Sequence, residues 1–167
     1  MVSTLIDKHF QIHEASTADI PVLISHHRKM FEDIWKFRNI PLDSFKLDRM
    51  DSSYREKLSL ELGSEMCKAW IIKQADLPVA SGAISLSSMV PTPDDPSFHI
   101  AYVHSIFTEN DCRKKGLADR IIKEIVEYCK SRRIGRIILH SSEAGWSVYL
   151  NNGFIVSNNV MSLNLSV

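Results

Sequence analysis

Hydrophobic and polar residues along the chain follow two periods, one typical of strands and the other of helices. Period-two or continuously apolar stretches rich in β-branched and aromatic residues predict strands, bounded by turn-forming residues. The segment 90–97, VPTPDDPS, is too rich in proline and acid for a central strand and predicts a loop. The predicted strands are 10–16, 68–74, 79–89, 99–107, a buried strand 136–142, and FIVSN and VMSLNLSV at 154–158 and 160–167.

Helical spacing predicts four helices. Apolar residues recur at three- and four-residue intervals from Ile20 to Ile34, with Thr17 as the expected N-cap. A second helix is predicted at about 52–66. From Leu117 to Cys129 the apolar positions fall on one face, which predicts an amphipathic helix. A short helix over 144–152 is expected to end at Gly153, a typical C-terminal cap.

The resulting order of elements is β-α-α-β-β-β-α-β-α-β-β. The strand–helix–strand unit within 100–139 predicts a parallel pair joined by a right-handed crossover, and the remaining strands are expected to be antiparallel. The fold class is therefore mixed α/β (α+β), with helices packed on the faces of the sheet. A length of 167 residues suits a single domain over 1–167.

Charge and cysteine content narrow the classes of function. Twenty basic and twenty acidic residues give a formal net charge of zero, which argues against a nucleic-acid partner. The three cysteines have no C-x-x-C spacing, and the histidines and cysteines show no metal-binding pattern. We find no apolar run of roughly 18 residues and no signal-peptide pattern, so we expect a cytoplasmic protein without membrane association.

The entrance of the predicted helix at 117–129 carries the strongest chemical signal. Arg113, Lys114, Lys115 and Gly116 stand directly before it. A helix N-terminus offers free backbone N–H groups and the positive end of the helix dipole, and glycine allows an anion to approach closely. The segment lacks both common phosphate-loop motifs, G-x-x-x-x-G-K-S/T and G-x-G-x-x-G, so it supports neither a nucleotide hydrolase nor a Rossmann dehydrogenase.

Two motifs resemble those of the GNAT superfamily, the Gcn5-related N-acetyltransferases. RKKGLA at 113–118 fits the Q/R-x-x-G-x-G/A pyrophosphate loop of that family, and YLNNGF at 149–154 resembles its Y-x-x-x-G-F segment. The predicted order of elements is also similar to that of the family from Phe10 to Leu165. The resemblance implies a mostly antiparallel sheet with a parallel pair of strands that splay apart to admit acetyl-CoA.

The resemblance also implies which residues bind acetyl-CoA. The strand residues Ile106, Phe107 and Thr108 would pair with the pantetheine arm, and a backbone N–H near Phe107 would polarise the thioester carbonyl. Ser142 would make a further contact. The pyrophosphate would be held by the backbone amides of Arg113, Lys114, Lys115, Gly116, Leu117 and Ala118.

Tyr149 is the expected general acid, which would protonate the leaving thiolate; the alternative is an aromatic residue packed in the core. The general base stays open among Glu32, Asp33, His104 and water, because each side chain also has an ordinary structural explanation.

The expected activity is transfer of an acetyl group from acetyl-CoA to a primary amine, in a small molecule or a peptide, within a ternary complex. The alternative is a non-catalytic CoA-binding sensor or assembly module of the same fold. We expect the acceptor between the first two helices and the loop after the third strand, where Asp94 and Asp95 would attract a cationic amine unless they are merely solvated. Dimers are common in the family, so the resemblance allows a homodimer.

Overall fold

The computed structural model of the chain describes residues 9–157 and 160–165. In these ranges the chain forms five strands and four α-helices, with 3-10 turns at Thr17–Asp19 and Asn110–Cys112. None of the helices in the described ranges is both long and apolar enough to cross a bilayer. The elements are β1 (Phe10–Glu14), α1 (Ile20–Phe37), α2 (Ser44–Glu61), β2 (Cys67–Gln74), β3 (Leu77–Ser88), β4 (His99–Thr108), α3 (Leu117–Ser131), β5 (Arg136–Leu139) and α4 (Trp146–Asn151).

The strands form one sheet in the order β1-β2-β3-β4-β5. Neighbours are antiparallel except β4 and β5, which α3 connects and which pair in parallel from Ile100↔Arg136 to Val103↔Leu139. β4 then continues to Thr108, whereas β5 has ended, so within the described part of the chain the last five residues of β4 have no partner on that side. The predicted fold class, with its parallel pair that separates at one end, is confirmed.

Helices cover both faces of the sheet. On one face α3 buries its apolar stripe, including the fully buried Ile121, Ile122 and Ile125, against β2, β3 and β4. Burial of each such side chain stabilises the fold by about 1.5–3 kcal/mol. On the other face α1 and α2 pack against a second cluster that includes Ile71 and Ala83. Polar groups near β4 therefore face either α3 or the α1–α2 pair.

The first two helices begin differently from the prediction. Ser16, not Thr17, caps the turn that leads into α1, since its backbone N–H donates to Asp19 Oδ2 at 2.9 Å. α2 begins at Ser44 rather than near 52, because the Asp43 carboxylate accepts a hydrogen bond from the Lys46 N–H at 3.0 Å. It ends at Glu61, and Gly63 with φ +86° follows.

The end of the chain does not follow the prediction either. Residues 154–157 and 160–165 form no strand, and residues 158–159 and 166–167 of the two predicted strands lie outside the described residues. The predicted strand 136–142 stops at Leu139, and it is half-exposed rather than buried. In the sheet formed by the described residues β5 is consequently an edge strand, and Ile138 is 43% exposed because no described strand lies beside it there.

Candidate active site

A β-bulge in β4 organises the unpaired end of that strand. The register with β3 shifts from Ala83↔His104 to Ser81↔Phe107, and Ser105 takes a positive φ of 58°. Such a bulge inserts one extra residue, so two consecutive side chains can share a face of the sheet. His104 and Ser105 do so, with 2.9 Å between His104 Nδ1 and Ser105 Oγ. Alternation then resumes, and Ile106 packs with the α3 cluster.

The backbone beyond the bulge offers hydrogen-bonding groups at an open edge. The Glu109 N–H donates to the Val79 carbonyl of β3 at 2.8 Å. Backbone N–H groups alternate between the two sides of an antiparallel strand. The Phe107 N–H therefore faces β3, as the Glu109 N–H does, and the N–H groups of Ile106 and Thr108 face the edge that β5 leaves open. The Thr108 carbonyl accepts a hydrogen bond from Arg113 Nε at 3.0 Å, as expected for a group on that edge.

The segment before α3 forms a cradle of backbone N–H groups. Lys114 and Gly116 both have positive φ, 61° and 75°. The N–H groups of residues 114–119 donate to no other backbone group among the described residues. A Cβ added at Gly116 would meet no atom within 4 Å, so the space above this backbone is open. Free N–H groups, the helix dipole and exposed cations fit a pyrophosphate.

Arg113 is held in place by its neighbours. Besides its bond to Thr108, its guanidinium donates to the Asp33 carboxylate of α1 and lies 5.9 Å from the centre of the Phe107 ring. The cation therefore links the N–H cradle, the open edge of β4 and α1. Lys115 Nζ lies 5.8 Å from the centre of the Phe10 ring.

Tyr149 lies in α4 with its ring partly buried. The ring packs edge-to-face on Phe154 at 5.7 Å, and a Cβ at Gly145 would lie 2.9 Å from Tyr149 Cε2, so glycine permits this packing. Burial raises the pKa of the Tyr149 phenol to about 12, and the nearby Tyr102 adds to the effect. The phenol therefore remains protonated at neutral pH and can act as a proton donor.

A hydrogen bond connects α4 to the beginning of α3. Asn152 Nδ2 donates to Asp119 Oδ1 at 2.7 Å and to the Val148 carbonyl at 2.8 Å. Sequence reasoning missed this pair, because a single asparagine beside a helix end gives no periodic signal. The described contacts of Ser142 stay within the turn before α4, where its Oγ accepts from the Gly145 N–H at 3.3 Å. The structure thus places Ser142 in the turn before α4, and among the described residues no hydrogen bond joins it to 113–118.

Ion pairs join α1 to the two segments beside the site. Lys29 contacts Glu109 just after β4, and Arg38 Nη2 lies 3.0 Å from Glu143 Oε1 before α4. Glu32 is paired with Arg28 at 3.2 Å along the same helix. An open depression beside these groups, the candidate acceptor entrance, is lined by Glu32, Asp33, Lys36, Asn39, Ile40, Pro41 and Leu42.

The acidic loop 90–97 lies at the other end of β4. Asp95 accepts from the Ser97 N–H at 3.1 Å and faces Arg136 at 3.5 Å, at the beginning of β5. Asp94 and Asp95 are therefore far along the strand from the bulge. The structure does not bring these two carboxylates to the bulge, and the expectation that they attract the acceptor stays a prediction.

Four side chains on the α1–α2 side form a continuous hydrogen-bonded chain, which we call the serine–histidine chain. Ser85 Oγ lies 3.0 Å from His104 Nε2, and Ser105 Oγ bridges His104 Nδ1 at 2.9 Å and His27 Nδ1 at 2.8 Å. Burial lowers the pKa of both imidazoles to about 4, so both are neutral at pH 7. Sequence reasoning named only His104, because the bulge that turns Ser105 towards α1 leaves no periodic signal.

His26 forms a separate buried contact. Its Nδ1 lies 2.9 Å from Ser81 Oγ, and its ring packs 5.0 Å from that of Phe107. Burial lowers the pKa of His26 to about 4, although the nearby Glu109 opposes the shift. His26 therefore resembles the two histidines of the chain in burial and in its serine partner.

Comparison with known proteins agrees with this geometry. The family model of the acetyltransferase (GNAT) domain matches residues 44–164. Among curated proteins, none matches the chain significantly.

Solved structures show the same fold at low sequence identity. A predicted acetyltransferase from Clostridium acetobutylicum, determined with acetyl-CoA, is 24% identical with a TM-score of 0.81, over 93% of this chain and 96% of that one. A GCN5-related N-acetyltransferase from Ralstonia eutropha JMP134 is 17% identical with a TM-score of 0.82, over 93% and 98%. Glucosamine-6-phosphate N-acetyltransferase from Arabidopsis thaliana is 17% identical with a TM-score of 0.60, over 94% and 99%. Since the family model covers more than half of its length, the chain belongs to the GNAT acetyltransferase family.

Proposed function

We propose that the protein transfers an acetyl group from acetyl-CoA to a primary amine, directly within a complex of protein, acetyl-CoA and amine. The observation that carries this proposal is the unpaired end of β4 beside the N–H cradle before α3. An open strand edge suits an extended amide-containing arm, and the cradle suits the phosphates at the end of that arm.

The binding roles follow from these two features. The backbone N–H groups at 113–118, from Arg113 through Gly116 to Ala118, would hold the pyrophosphate. The edge formed by Ile106, Phe107 and Thr108 would pair with the pantetheine amides. Arg113 is anchored to both Thr108 and Asp33, so it sets the distance between the cradle and the edge.

The chemistry needs stabilisation of the carbonyl oxygen and of the leaving sulfur. Acetyl-CoA supplies an activated thioester. A backbone N–H of Ile106 or Thr108, aimed at the open edge, can donate to the carbonyl oxygen as negative charge develops there. This assignment refines the expectation of an N–H near Phe107, whose own N–H faces β3.

Tyr149 Oη would donate to the leaving sulfur. Its pKa of about 12 lies above the usual value near 8.5 for a thiol, so complete proton transfer to a free thiolate is uphill. Its contribution is therefore a hydrogen bond that strengthens while charge develops on sulfur, worth roughly 10²-fold in rate.

Amine acceptors are supported by relatives of the same fold. The depression along α1 offers room for an acceptor, and its carboxylates Glu32 and Asp33 are already paired with Arg28 and Arg113. Structures of the same fold include proteins named as aminoglycoside and glucosamine-6-phosphate acetyltransferases. Whether this chain acetylates a small amine or a peptide is decided by the panel below.

The test combines binding and turnover. At 100 times Kd, acetyl-CoA should add about 2.7 kcal/mol to the free energy of unfolding, which for a domain of this size is roughly 5–10 °C in Tm. Thiol release is then followed with ethylamine, 1,4-diaminobutane, glucosamine and a lysine-containing peptide. Amine-dependent release supports the transferase. A Tm shift without release for any amine would favour the CoA-binding module, and no shift would reject both functions.

A further inference from the structure

The serine–histidine chain joins three elements beneath the proposed thioester site. Ser85 belongs to β3, His104 and Ser105 to β4, and His27 to α1. All three hydrogen bonds lie between 2.8 and 3.0 Å. Because Ser105 has one hydroxyl proton and contacts two imidazole Nδ1 atoms, it donates to one ring and accepts from the other.

The two ends of the chain face different surroundings. The Tyr102 ring stacks on His104 with the two ring planes at 21°, and Tyr102 also acts electrostatically on Tyr149. The His104 end is therefore on the side of the proposed acid. At the other end, Asp51 attracts His27, and Asp51 Oδ1 is buried without a hydrogen-bond partner among the described residues.

We propose that the serine–histidine chain is a proton relay that removes the ammonium proton of the acceptor amine and delivers it towards Asp51. The proposal rests on the acetyltransferase function proposed above. It assigns the base, which the sequence left open, to a set of linked groups rather than to one residue.

The three middle transfers follow the three hydrogen bonds of the chain. An N–H bond of the ammonium breaks and its proton goes to Ser85 Oγ, while the Ser85 hydroxyl proton moves to His104 Nε2. His104 gives its Nδ1 proton to Ser105 Oγ, and the Ser105 hydroxyl proton moves to His27 Nδ1. The His27 Nε2 proton leaves to solvent on the side of Asp51, whose negative charge acts on His27. Every member of the chain ends neutral, and exchange with solvent in the reverse direction resets it after product release.

A relay suits this site better than a single histidine base. An imidazole whose pKa is lowered to about 4 by burial is a weak base for an ammonium group. Concerted transfer passes the proton on without leaving a charge on either buried ring. The negative charge of Asp51 attracts the departing proton, and the 20% exposure of its side chain gives the proton a route to solvent.

Charged and titratable groups from every packed element bear on the two rings. In α2, the Asp51 carboxylate acts to raise the pKa of His27 and Lys57 acts to lower that of His104. His27 also acts to lower the pKa of His104. The Tyr54 ring lies 4.3 Å from that of His27, and burial raises the pKa of the Tyr54 phenol, so it stays neutral. The aromatic and thiol groups of this environment, which carry no charge at neutral pH, are Tyr54, Tyr102 and Cys67.

The test compares two small amines of similar size. Ethylamine is an ammonium ion at neutral pH, whereas 2,2,2-trifluoroethylamine is mostly neutral and does not have to lose a proton before it attacks the thioester. His27→Gln and His104→Gln should each lower kcat/KM for ethylamine by roughly 10²-fold at pH 7.5 and leave the value for trifluoroethylamine within about threefold. The loss for ethylamine should shrink as pH rises, because more of the amine is then already neutral.

His26→Gln is the matched control. His26 is also buried, also bonded to a serine and also depressed in pKa, but it lies outside the chain. Its substitution should change kcat/KM for the two amines by the same factor and leave the pH dependence of kcat/KM unchanged in shape. Equal losses for both amines in His27→Gln and His104→Gln, or an ethylamine-specific loss in His26→Gln, would overturn the relay.

A second measurement needs no acceptor. Nitrogen-15 NMR of the histidine rings with acetyl-CoA at pH 7.5 should show both imidazoles neutral, one with a proton on Nδ1 and the other without. Identical tautomers, or an imidazolium at either position, would contradict the relay. Failure of the wild-type protein to acetylate either amine would count against the proposed function, while the ring nitrogens would still decide the relay.

Discussion

Replacement of Gly116 by alanine separates the binding role of the N–H cradle from its role in the fold. Gly116 has φ +75°, and a Cβ there would contact no protein atom within 4 Å. The methyl group would therefore extend into the space that we assign to the pyrophosphate. Any loss of acetyl-CoA affinity would therefore come from contact between this methyl group and the ligand, and not from a clash within the protein.

The two effects can be estimated separately. Alanine in the left-handed region costs about 1 kcal/mol relative to glycine, which lowers Tm by roughly 2–4 °C. Loss of one charge-assisted hydrogen bond to phosphate, about 1.5–3 kcal/mol, would weaken acetyl-CoA binding by roughly 10- to 100-fold. At 100 times the wild-type Kd, the stabilisation by acetyl-CoA should fall from about 2.7 to about 0.4–1.4 kcal/mol.

Gly63→Ala is the matched control for this measurement. Gly63 follows α2, has φ +86°, and also has open space where a Cβ would stand. Thermal unfolding with and without acetyl-CoA should show a similar loss of Tm in both variants and a reduced ligand-dependent shift only in Gly116→Ala. A full shift in Gly116→Ala would refute the assignment of the pyrophosphate to this backbone.

Three other changes test the remaining parts of the argument. Tyr149→Phe should lower kcat by roughly 10²-fold with little change in KM for acetyl-CoA. The control Tyr128→Phe removes a buried hydroxyl without a hydrogen-bond partner among the described residues and should retain activity. An unchanged kcat in Tyr149→Phe would exclude the role of Tyr149 as general acid. Gly82→Ala would place a Cβ 2.6 Å from Ile121 Cγ2, so it should lower the free energy of unfolding in urea by about 1–3 kcal/mol; unaltered stability would contradict the close approach of α3. His26, His27 and His104 have pKa values of about 4 in the folded protein instead of 6.5, so the folded state binds fewer protons than the unfolded state between these values. The free energy of unfolding should therefore be highest above pH 6.5 and fall as the pH drops towards 4. A urea midpoint that stays constant over this range would contradict their burial.

Strongly periodic segments were predictable from sequence alone. The apolar face from Leu117 to Cys129 became α3, and the cations and glycine before it became the cradle, because both depend on local spacing. The beginning of α2 was missed for the opposite reason. In its first ten residues only Leu47 is buried, so the Asp43 cap, rather than apolar spacing, marks where the helix begins.

The end of the chain shows where periodicity misleads. Ile155, Met161 and Leu163 suggested strands, yet in the described residues they are exposed and belong to no sheet. An alternating sequence shows only that a segment could present one apolar and one polar face. The segment forms a strand only when a neighbouring strand supplies the backbone hydrogen bonds. β5 shows the same dependence, since it is shorter and more exposed than a strand between two neighbours would be.

The bulge at Ser105 connects the two halves of the proposed mechanism. Side chains alternate with a period of two, so one extra residue reverses the faces of every position after it. Without the insertion, Phe107 would point towards α3 and Ile106 towards α1, and Ser105 would no longer reach both His104 and His27. The same insertion decides which N–H groups face the open edge of β4. One irregular residue thus positions both the groups that would polarise the thioester and the chain that would take the proton from the amine. Because the irregularity is a relation between β4 and its neighbour β3, the sequence of β4 alone could not reveal it.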